Sequence, residues 1–538
     1  MIGTSIAEYI FIRGCILFLH NIAPASLLYC VLLLGPLPTA LSGYRLPPYL
    51  EAWLVAEAAF FTIFFLPYKY HLQRPAIHPE LLSREERAKL FKRCNATVKD
   101  PEKYLSQWFL GAKEEQIKRE NVKEFIRWAF LNAGQAESED EGEVEGYVNA
   151  MEKLLGRDIP SGKGSAKSLR LTVDKVDCLH RSLLWYFCVC VVDTVTYWSM
   201  LYNGFHFHRT SLARFFTLFP FRPLTLLTTY RSPVEHLTYW HRPHSSKTRL
   251  PVLFIHGIGV GLYPYTNFLR DLNKAGEVGG SDAGVGIIAL EIMPVSSRIT
   301  HPALEKDVMV REVQAIVKHH GWSRFVLVSH SYGSIISTHL LKSPVTAPFI
   351  GPMVLVDPVS FLLHLPDVAY NFTARQPVRA NEHQLWYFGS KDIGVAHSLA
   401  RRFFWSQNIV WKEDLGVEGE NGEEGRNVTV VLSGRDLIVD TEAVRRYLTA
   451  SFSEGLTSNG KAACVTNKNG KEMITKIGKE DNGAWTSGRW SGSGLEVLWF
   501  EHLDHAQVFD FEKTRMPVVQ AVELYSAKDG IVQALADS

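Results

Sequence analysis

The stretch FVLVSHSYGS, Phe325 to Ser334, constrains the fold of this chain more than any other. The apolar, β-branched run Phe325 to Val328 reads as a buried strand, and IISTHLL after Gly333 is apolar at helical spacing. Between them Ser331 sits on a turn that must be tight, because strand and helix signals are only a few residues apart. Small residues at Ser329 and Gly333 allow the chain to turn there and keep the Ser331 hydroxyl clear of neighbours. The pattern departs from G-x-S-x-G at its first position, where Ser329 stands. A serine at such a place also serves as an ordinary helix N-cap, so the string needs its context before it carries chemistry.

That context begins near His236, where strand and helix signals alternate. LTYWHRP, LPVLFIHGIG, GIIALEI, RFVLVSHS, PMVLVDPV, NVTVVLSGRD and LEVLWFEHLDH read as strands, and VMVREVQAIVKHH from Val308 reads as a helix. This succession predicts an α/β domain with a mostly parallel sheet, whose functional residues gather beyond the carboxyl ends of the strands. Two insertions interrupt it. Residues 359–425, which include RRFFWSQNIVW, are expected to form a lid, and residues 453–494 a flexible excursion.

Two residues beyond later strands complete the pattern around Ser331. Asp436 follows TVVLSG and His505 follows LEVLWF, which gives the chain order nucleophile, acid, base. A serine hydroxyl is a poor nucleophile near neutral pH. An imidazole must take its proton, and a carboxylate must hold the imidazole's tautomer and stabilise the cation. HGIGVG, from His256 to Gly261, follows another strand and offers backbone amides to a developing oxyanion. The amides of Ile258 and Tyr332 are assigned that role, with Gly257 as the alternative to Ile258. Asp357 in VLVDPV is a second candidate acid, Asp440 a poorer one, and His502 an alternative base. No metal is expected, because no third ligand at suitable spacing accompanies His502 and His505. No cofactor is expected either. The glycine turn lacks an acid after the next strand, and GRDIPSGKG has the wrong spacing for a phosphate loop, with no Ser or Thr directly after Lys163.

From about His236 onward these residues resemble the α/β-hydrolase fold, with HGIG as the oxyanion loop and SHSYG as the nucleophile elbow. The resemblance implies Ser331, Asp436 and His505 as a catalytic triad, and its acid loop matches SGRDLIV better than the segment around Asp357. The N-terminal half is similar to that of membrane-anchored fungal α/β-hydrolase-like proteins carrying WFLGA...IKRENVKEFIRWAF, a similarity that brings no substrate with it. Ser329 and Asp504, which stands where a glycine often precedes the histidine, depart from the family pattern without removing a reacting group. The implied fold is a mostly parallel sheet with helices on both faces, behind a membrane-anchoring, mainly helical N-terminal region. The implied function is a serine esterase or lipase-like hydrolase, or an acyltransferase of the same fold. Two rivals are an inactive hydrolase-fold scaffold and a glycerolipid acyltransferase that would use the H-x-x-x-x-D string from His505 to Asp510.

The N-terminal half sets where such an enzyme works. Gly14 to Pro36 is apolar and long enough, at ~1.5 Å per residue, to cross a ~30 Å hydrocarbon core. A second run, Ala52 to Tyr68, contains Glu57, so residues 1–78 are expected to anchor the chain with one or two spanning helices. Lys69, Arg74, Arg84, Arg87, Lys89, Lys92 and Arg93 follow it, which predicts a body facing the cytosol from the endoplasmic reticulum or another internal membrane. Residues 79–235 are expected to be helical, aromatic-rich and apposed to the membrane, with an acidic linker in AESEDEGEVEG and another linker in PSGKGSAKS. A third apolar run from Ser182 carries Asp193 near its middle, which favours a helix buried in protein or lying along the membrane over a spanning one. Residues 236–538 form the hydrolase domain. With 57 basic against 56 acidic residues and no basic stripe, nucleic acid is not an expected partner. The expected partners are the membrane and a hydrophobic ester or lipid. The seven scattered cysteines fit reduced thiols better than a disulfide framework.

Overall fold

The computed structural model describes residues 2–34, 46–132, 141–277, 284–419, 425–450, 474–477, 490 and 492–536. The excursion expected over 453–494 therefore lies almost wholly outside the described residues, as does Cys464. The other six cysteines are free thiols.

The apolar runs at the N-terminus form two helices. α1 spans Ile6–Leu34, longer than expected, and α2 spans Pro48–Ala59 and continues without a break through Phe60–Phe65 to His71. Both are long and apolar enough to cross a bilayer, and α1 presents Ile10, Phe11, Leu17, Phe18, Leu28 and Val31 outward. A helical block follows, made of α3 (Arg84–Thr97), α4 (Pro101–Trp108), α5 (Arg119–Leu131) and α6 (Glu141–Leu155). Its core includes Ile117, Val122 and Ile126, three of the residues that the helical spacing placed on one face, while Phe130 is only partly buried. From Glu141 the acidic run is a helix and not a linker. Its carboxylates face cations on neighbouring helices, so Glu141 accepts from Lys123 at 3.0 Å and Glu143 is paired with the buried Arg87. Arg87 is thus neutralised inside the block and does not add to a free basic cluster. The PSGKGSAKS segment is also fastened, because the Asn121 side-chain amide donates to the carbonyls of Gly164 and Ala166.

The third apolar run forms α7, Leu183–Tyr202, and its two faces differ. Phe187, Val191, Val195 and Trp198 point outward, whereas Tyr186, Val189, Asp193, Tyr197 and Met200 are buried. Tyr197 and Met200 pack against the α/β domain, and Asp193 is paired with the buried Arg298. The charge that makes spanning costly is thereby held by protein. Glu57 is satisfied in the same way: it accepts the amides of Leu183 and Leu184 at the start of α7.

The runs read as strands all form strands. They are β2 (Thr238–Arg242), β3 (Val252–Ile255), β4 (Ile287–Glu291), β5 (Phe325–His330), β6 (Ile350–Val356), β7 (Val428–Ser433) and β9 (Leu495–Phe500). Two more join them, β1 (His206–His208) and β8 (Ile474–Ile477), in the order β1-β2-β4-β3-β5-β6-β7-β9-β8. β2 pairs antiparallel with both β1 and β4, and the remaining pairs are parallel. The sheet therefore begins at His206, thirty residues before the boundary read from the sequence (236 − 206). A three-residue strand is too short to show an alternation, so pairing with β2 is what defines it.

Alternate residues of the strands enter two cores, as pleating requires. Leu253, Ile255, Leu327 and Leu355 face one side, and Phe254, Val326, Val328 and Val356 the other. α8 (Thr266–Glu277) covers the second side; α9 (Lys306–His319) and α10 (Gly333–Lys342) cover the first. Residues 359–425 include α11 (Ala380–Gln384) and α12 (Ile393–Arg401), and then α13 (Thr441–Thr449) joins the first side and α14 (Glu512–Ala536) the second. The insertion touches the apolar helices at two places. Ile12 and Ile16 of α1 pack on Ala380 and Tyr387, and Phe65 and Leu72 of the α2 continuation join a cluster with Ile393, Ala396 and Ala400.

Candidate active site

Parallel pairing brings the carboxyl ends of β3, β5, β6, β7 and β9 to one edge, and the residues singled out in the sequence lie just beyond them. Ser331 follows β5 with φ +50°, in the left-handed region that a non-glycine residue adopts at some cost. The surroundings hold it there. Its amide donates to the Val356 carbonyl, while the Ser334 hydroxyl donates to its carbonyl at 2.7 Å and accepts the Val359 amide. Gly333 has a steric reason: a Cβ there would lie 2.4 Å from the Ile255 carbonyl oxygen. Ser329, in place of the usual first glycine, is wholly buried on β5 opposite Ile255.

His505 Nε2 lies 2.8 Å from Ser331 Oγ, and its Nδ1 lies 2.6 Å from Asp436 Oδ2. The other Asp436 oxygen accepts the amides of Ile438 and Val439, which fixes the carboxylate's orientation. Asp357 is near but differently engaged. It accepts the Ser433 amide and hydroxyl and the Ala506 amide, so it ties the acid loop to the histidine loop without bonding the imidazole. Asp504 acts similarly, accepting from the Leu437 and His505 amides with one oxygen and from the Asn381 side chain of α11 with the other. Asp504 departs from the usual glycine; its distant partners lie on the loop after β7 and on α11, and no local spacing announces them.

These carboxylates set the charge of the site. Burial disfavours an imidazolium at His505, but Asp436, followed by Asp357 and Asp504, outweighs it and pushes the group up to about 9. Burial and the neighbouring Asp436 carboxylate push Asp357 up to about 6. His330, whose ring centre is 5.2 Å from that of His505, is held well below the ordinary histidine range by burial and by the adjacent imidazoles. Its Nδ1 is 2.8 Å from the Tyr265 hydroxyl, which also accepts the Gly257 amide. A hydroxyl that accepts from Gly257 has its own proton free for His330 Nδ1, so the second imidazole is oriented as a neutral ring.

The Gly257 amide is thus occupied, which separates the two candidates for the oxyanion loop. Among the described residues the Ile258 and Tyr332 amides make no hydrogen bond, and Tyr332 is the N-cap of α10, where the helix dipole favours negative charge. Gly257 has a different role. A Cβ there would lie 2.8 Å from both Ser331 Cβ and His330 Nδ1, so only glycine lets this loop approach the elbow.

The remaining alternatives do not meet Ser331. His502 is exposed and faces Arg435, because it lies at the strand end three residues before the loop that turns inward. Asp440 caps α13 by accepting the Ala443 amide. His505 Nδ1 is committed to Asp436 and not to Asp510, which removes the H-x-x-x-x-D arrangement. Asp357, Asp436 and His505 offer oxygen and nitrogen atoms within 4.8 Å of one another, but both imidazole nitrogens of His505 are engaged in hydrogen bonds.

Ser331, Ile258 and Tyr332 open onto a cavity whose walls are largely apolar. Trp108 and Trp128 of the helical block form one wall, and Phe372, Leu399 and Phe403 of the insertion another. Residues between Val359 and Ser406 therefore line the cavity beside the serine, and the N-terminal half contributes to the cavity itself.

Residues 251–392 match the family model of the α/β hydrolase fold, a span that takes in β3 to β6 and the elbow. No curated protein matches the sequence. Similar solved structures include a carboxylesterase of the ammonia-oxidizing thaumarchaeon Nitrososphaera gargenis, at 13% identity and TM-score 0.33, with 55% of this chain and 98% of that one covered. A putative lipase from Acinetobacter baumannii is 9% identical with TM-score 0.35, covering 64% and 97%. An esterase from the archaeon Pyrobaculum calidifontis is 12% identical with TM-score 0.33, covering 64% and 92%. Likenesses this distant carry no weight for chemistry. The sheet order, the elbow and the matched segment give the conclusion: the chain carries an α/β-hydrolase fold, preceded by an N-terminal region with long apolar helices.

Proposed function

We propose that this protein is a membrane-associated serine hydrolase that cleaves a hydrophobic, lipid-like carboxylic ester through an acyl-enzyme on Ser331. The observation that carries the reading is the relay from Ser331 Oγ to His505 Nε2 and from Nδ1 to Asp436, at the mouth of an apolar cavity. Ser331 Oγ attacks the ester carbonyl carbon while its proton passes to the neutral His505 Nε2. The carbonyl oxygen takes the negative charge between the Ile258 and Tyr332 amides, each such donor contributing roughly 3 kcal/mol of transition-state stabilisation. Collapse breaks the ester C–O bond, and Nε2 returns the proton to the leaving alcohol. Water, activated by the same nitrogen, then releases the acid; a second alcohol in its place would make the reaction an acyl transfer.

The substrate class follows from the cavity and its setting. Aromatic and aliphatic walls suit an acyl chain, and the outward apolar faces of α1 and α2 fit a chain held at an internal membrane, where such esters reside. In this reading the hydrolase domain faces the cytosol. A fluorophosphonate probe applied to membranes containing the full chain should label Ser331, and Ser331→Ala should remove the label. A folded, accessible wild-type protein that is not labelled would overturn the proposal in favour of an inactive scaffold. Protease protection of the C-terminus in sealed microsomes would overturn the cytosolic placement alone.

A further inference from the structure

Three histidines that this chemistry does not use meet at the other end of the sheet. His208 ends β1, His241 lies on β2, and His320 directly follows α9. β1 and β2 pair so that His208 stands opposite Tyr239, and His241, two residues on, projects from the same face of the pleat. His320 approaches that face from α9, with its ring centre 3.8 Å from that of His241. One donor atom from each of the three lies within 4.8 Å of the others. His241 is paired across β2 and β4 with Ile288, near the start of β4, whereas Ser331 lies beyond the carboxyl end of β5. The cluster is therefore separate from the proposed active site.

The polar atoms of this cluster are incompletely matched. His241 is 9% exposed, and its Nε2 is buried with no hydrogen-bond partner among the described residues. Buried ring nitrogens are rarely left so. The Tyr239 hydroxyl lies 3.0 Å from His208 Nδ1 and 2.9 Å from His320 Nε2, and His208 Nδ1 also lies 3.3 Å from the Arg231 carbonyl, so His241 Nε2 is the atom of the cluster left without a partner among the described residues. Three imidazoles form a nitrogen-rich donor set with a phenol oxygen at hand as a fourth donor, which suits a borderline-soft divalent ion.

We propose that His208, His241 and His320 bind a Zn2+ ion, with water or the Tyr239 hydroxyl in the fourth position. Zinc–nitrogen bonds of ~2.0–2.1 Å in a tetrahedron place the nitrogens ~3.4 Å apart, so the three donor atoms, which lie within 4.8 Å of one another, must draw together on binding. Burial keeps the three rings neutral, holding His241 down to about 3 and His208 and His320 down to about 4, and metal ligation requires unprotonated imidazole. Bound there, the ion cross-links the antiparallel edge, against which α7 packs, to the end of α9. Its role is structural.

Purified full-length protein in detergent, stripped with a chelator and titrated with Co2+, tests this. Wild type should take up one Co2+ per chain with the intense visible bands of a tetrahedral site, which Zn2+ displaces, and the metal should raise its Tm. His241→Gln and, separately, His320→Gln should lose both effects while keeping fluorophosphonate labelling of Ser331. His320 is partly exposed, so His320→Gln carries the test if His241→Gln does not fold. Absence of a saturable Co2+ spectrum in wild type, or a spectrum unchanged in His320→Gln, would overturn the proposal.

Discussion

Buried imidazoles stand at both ends of the central sheet, and the two ends treat them oppositely. At the carboxyl end His505 is buried among Asp436, Asp357 and Asp504 and is pushed up to about 9. At the other end His208 and His241 are buried, and His320 half-buried, among aromatic rings and one another, and all are held at about 3 to 4. Burial penalises the cation in both places, so the difference comes from the partners: carboxylates reward the proton and neighbouring rings do not. His330 makes the point at close range. It shares the site with His505 yet is held well below the ordinary histidine range by burial and by the neighbouring imidazoles of His505 and His256, and among the described residues no carboxylate bonds it. One ring alone at the proposed active site is thus prepared to carry a proton.

The comparison breaks most severely at the nucleophile. Ser331→Ala should reduce ester hydrolysis by about 10⁶-fold, measured on a short-chain reporter ester, and leave Co2+ binding intact. Asp436→Asn removes the main partner of His505 while preserving shape, and it should lower kcat by about 10⁴-fold. The carboxylate environment also sets a pH profile. Since His505 must be neutral to act as base, kcat/KM should rise with pH and level off only near pH 9. Asp357→Asn, which keeps the His505–Asp436 bond, should move that inflection about one unit towards acid with a much smaller rate loss than Asp436→Asn. An inflection that does not move would mean that Asp357 contributes only through its backbone contacts.

The stability counterpart has a definite sign. A histidine whose folded value lies above its unfolded 6.5 contributes stability that is complete below about 6.5 and is lost as pH rises towards 9. The Tm of the wild type should therefore fall over that interval, and Asp436→Asn should flatten the dependence. The smallest effect belongs to the opposite end: His241→Gln should leave the pH inflection where it is.

The alternation of strands and helices was readable because β3 to β7 and β9 are continuous apolar runs, and burial on both faces requires such runs. Ser331, Asp436 and His505 were readable for a related reason. Each lies within five residues of a strand's end, so a local signal locates it even though the three are far apart in the chain. The acidic run from Glu141 was misread because composition reports charge and not its partners, and Lys123, Arg119 and Arg87 lie on other helices. β1 escaped for the same reason, since three residues have no period until β2 pairs with them.

From its sequence alone this chain determines a mostly parallel α/β domain, a serine on a strand-to-helix turn, an aspartate and a histidine that follow later strands, and apolar helices ahead of them. Those properties are written in short windows, where periodicity and strand ends suffice. Tertiary structure decided that Asp436 and not Asp357 bonds His505, that the Gly257 amide is occupied while the Ile258 amide makes no hydrogen bond among the described residues, and that Asn381 of α11 reaches Asp504. It also gathered three histidines from three separate segments. Each outcome depends on angles and distances between segments brought together only by folding, and no local pattern encodes them.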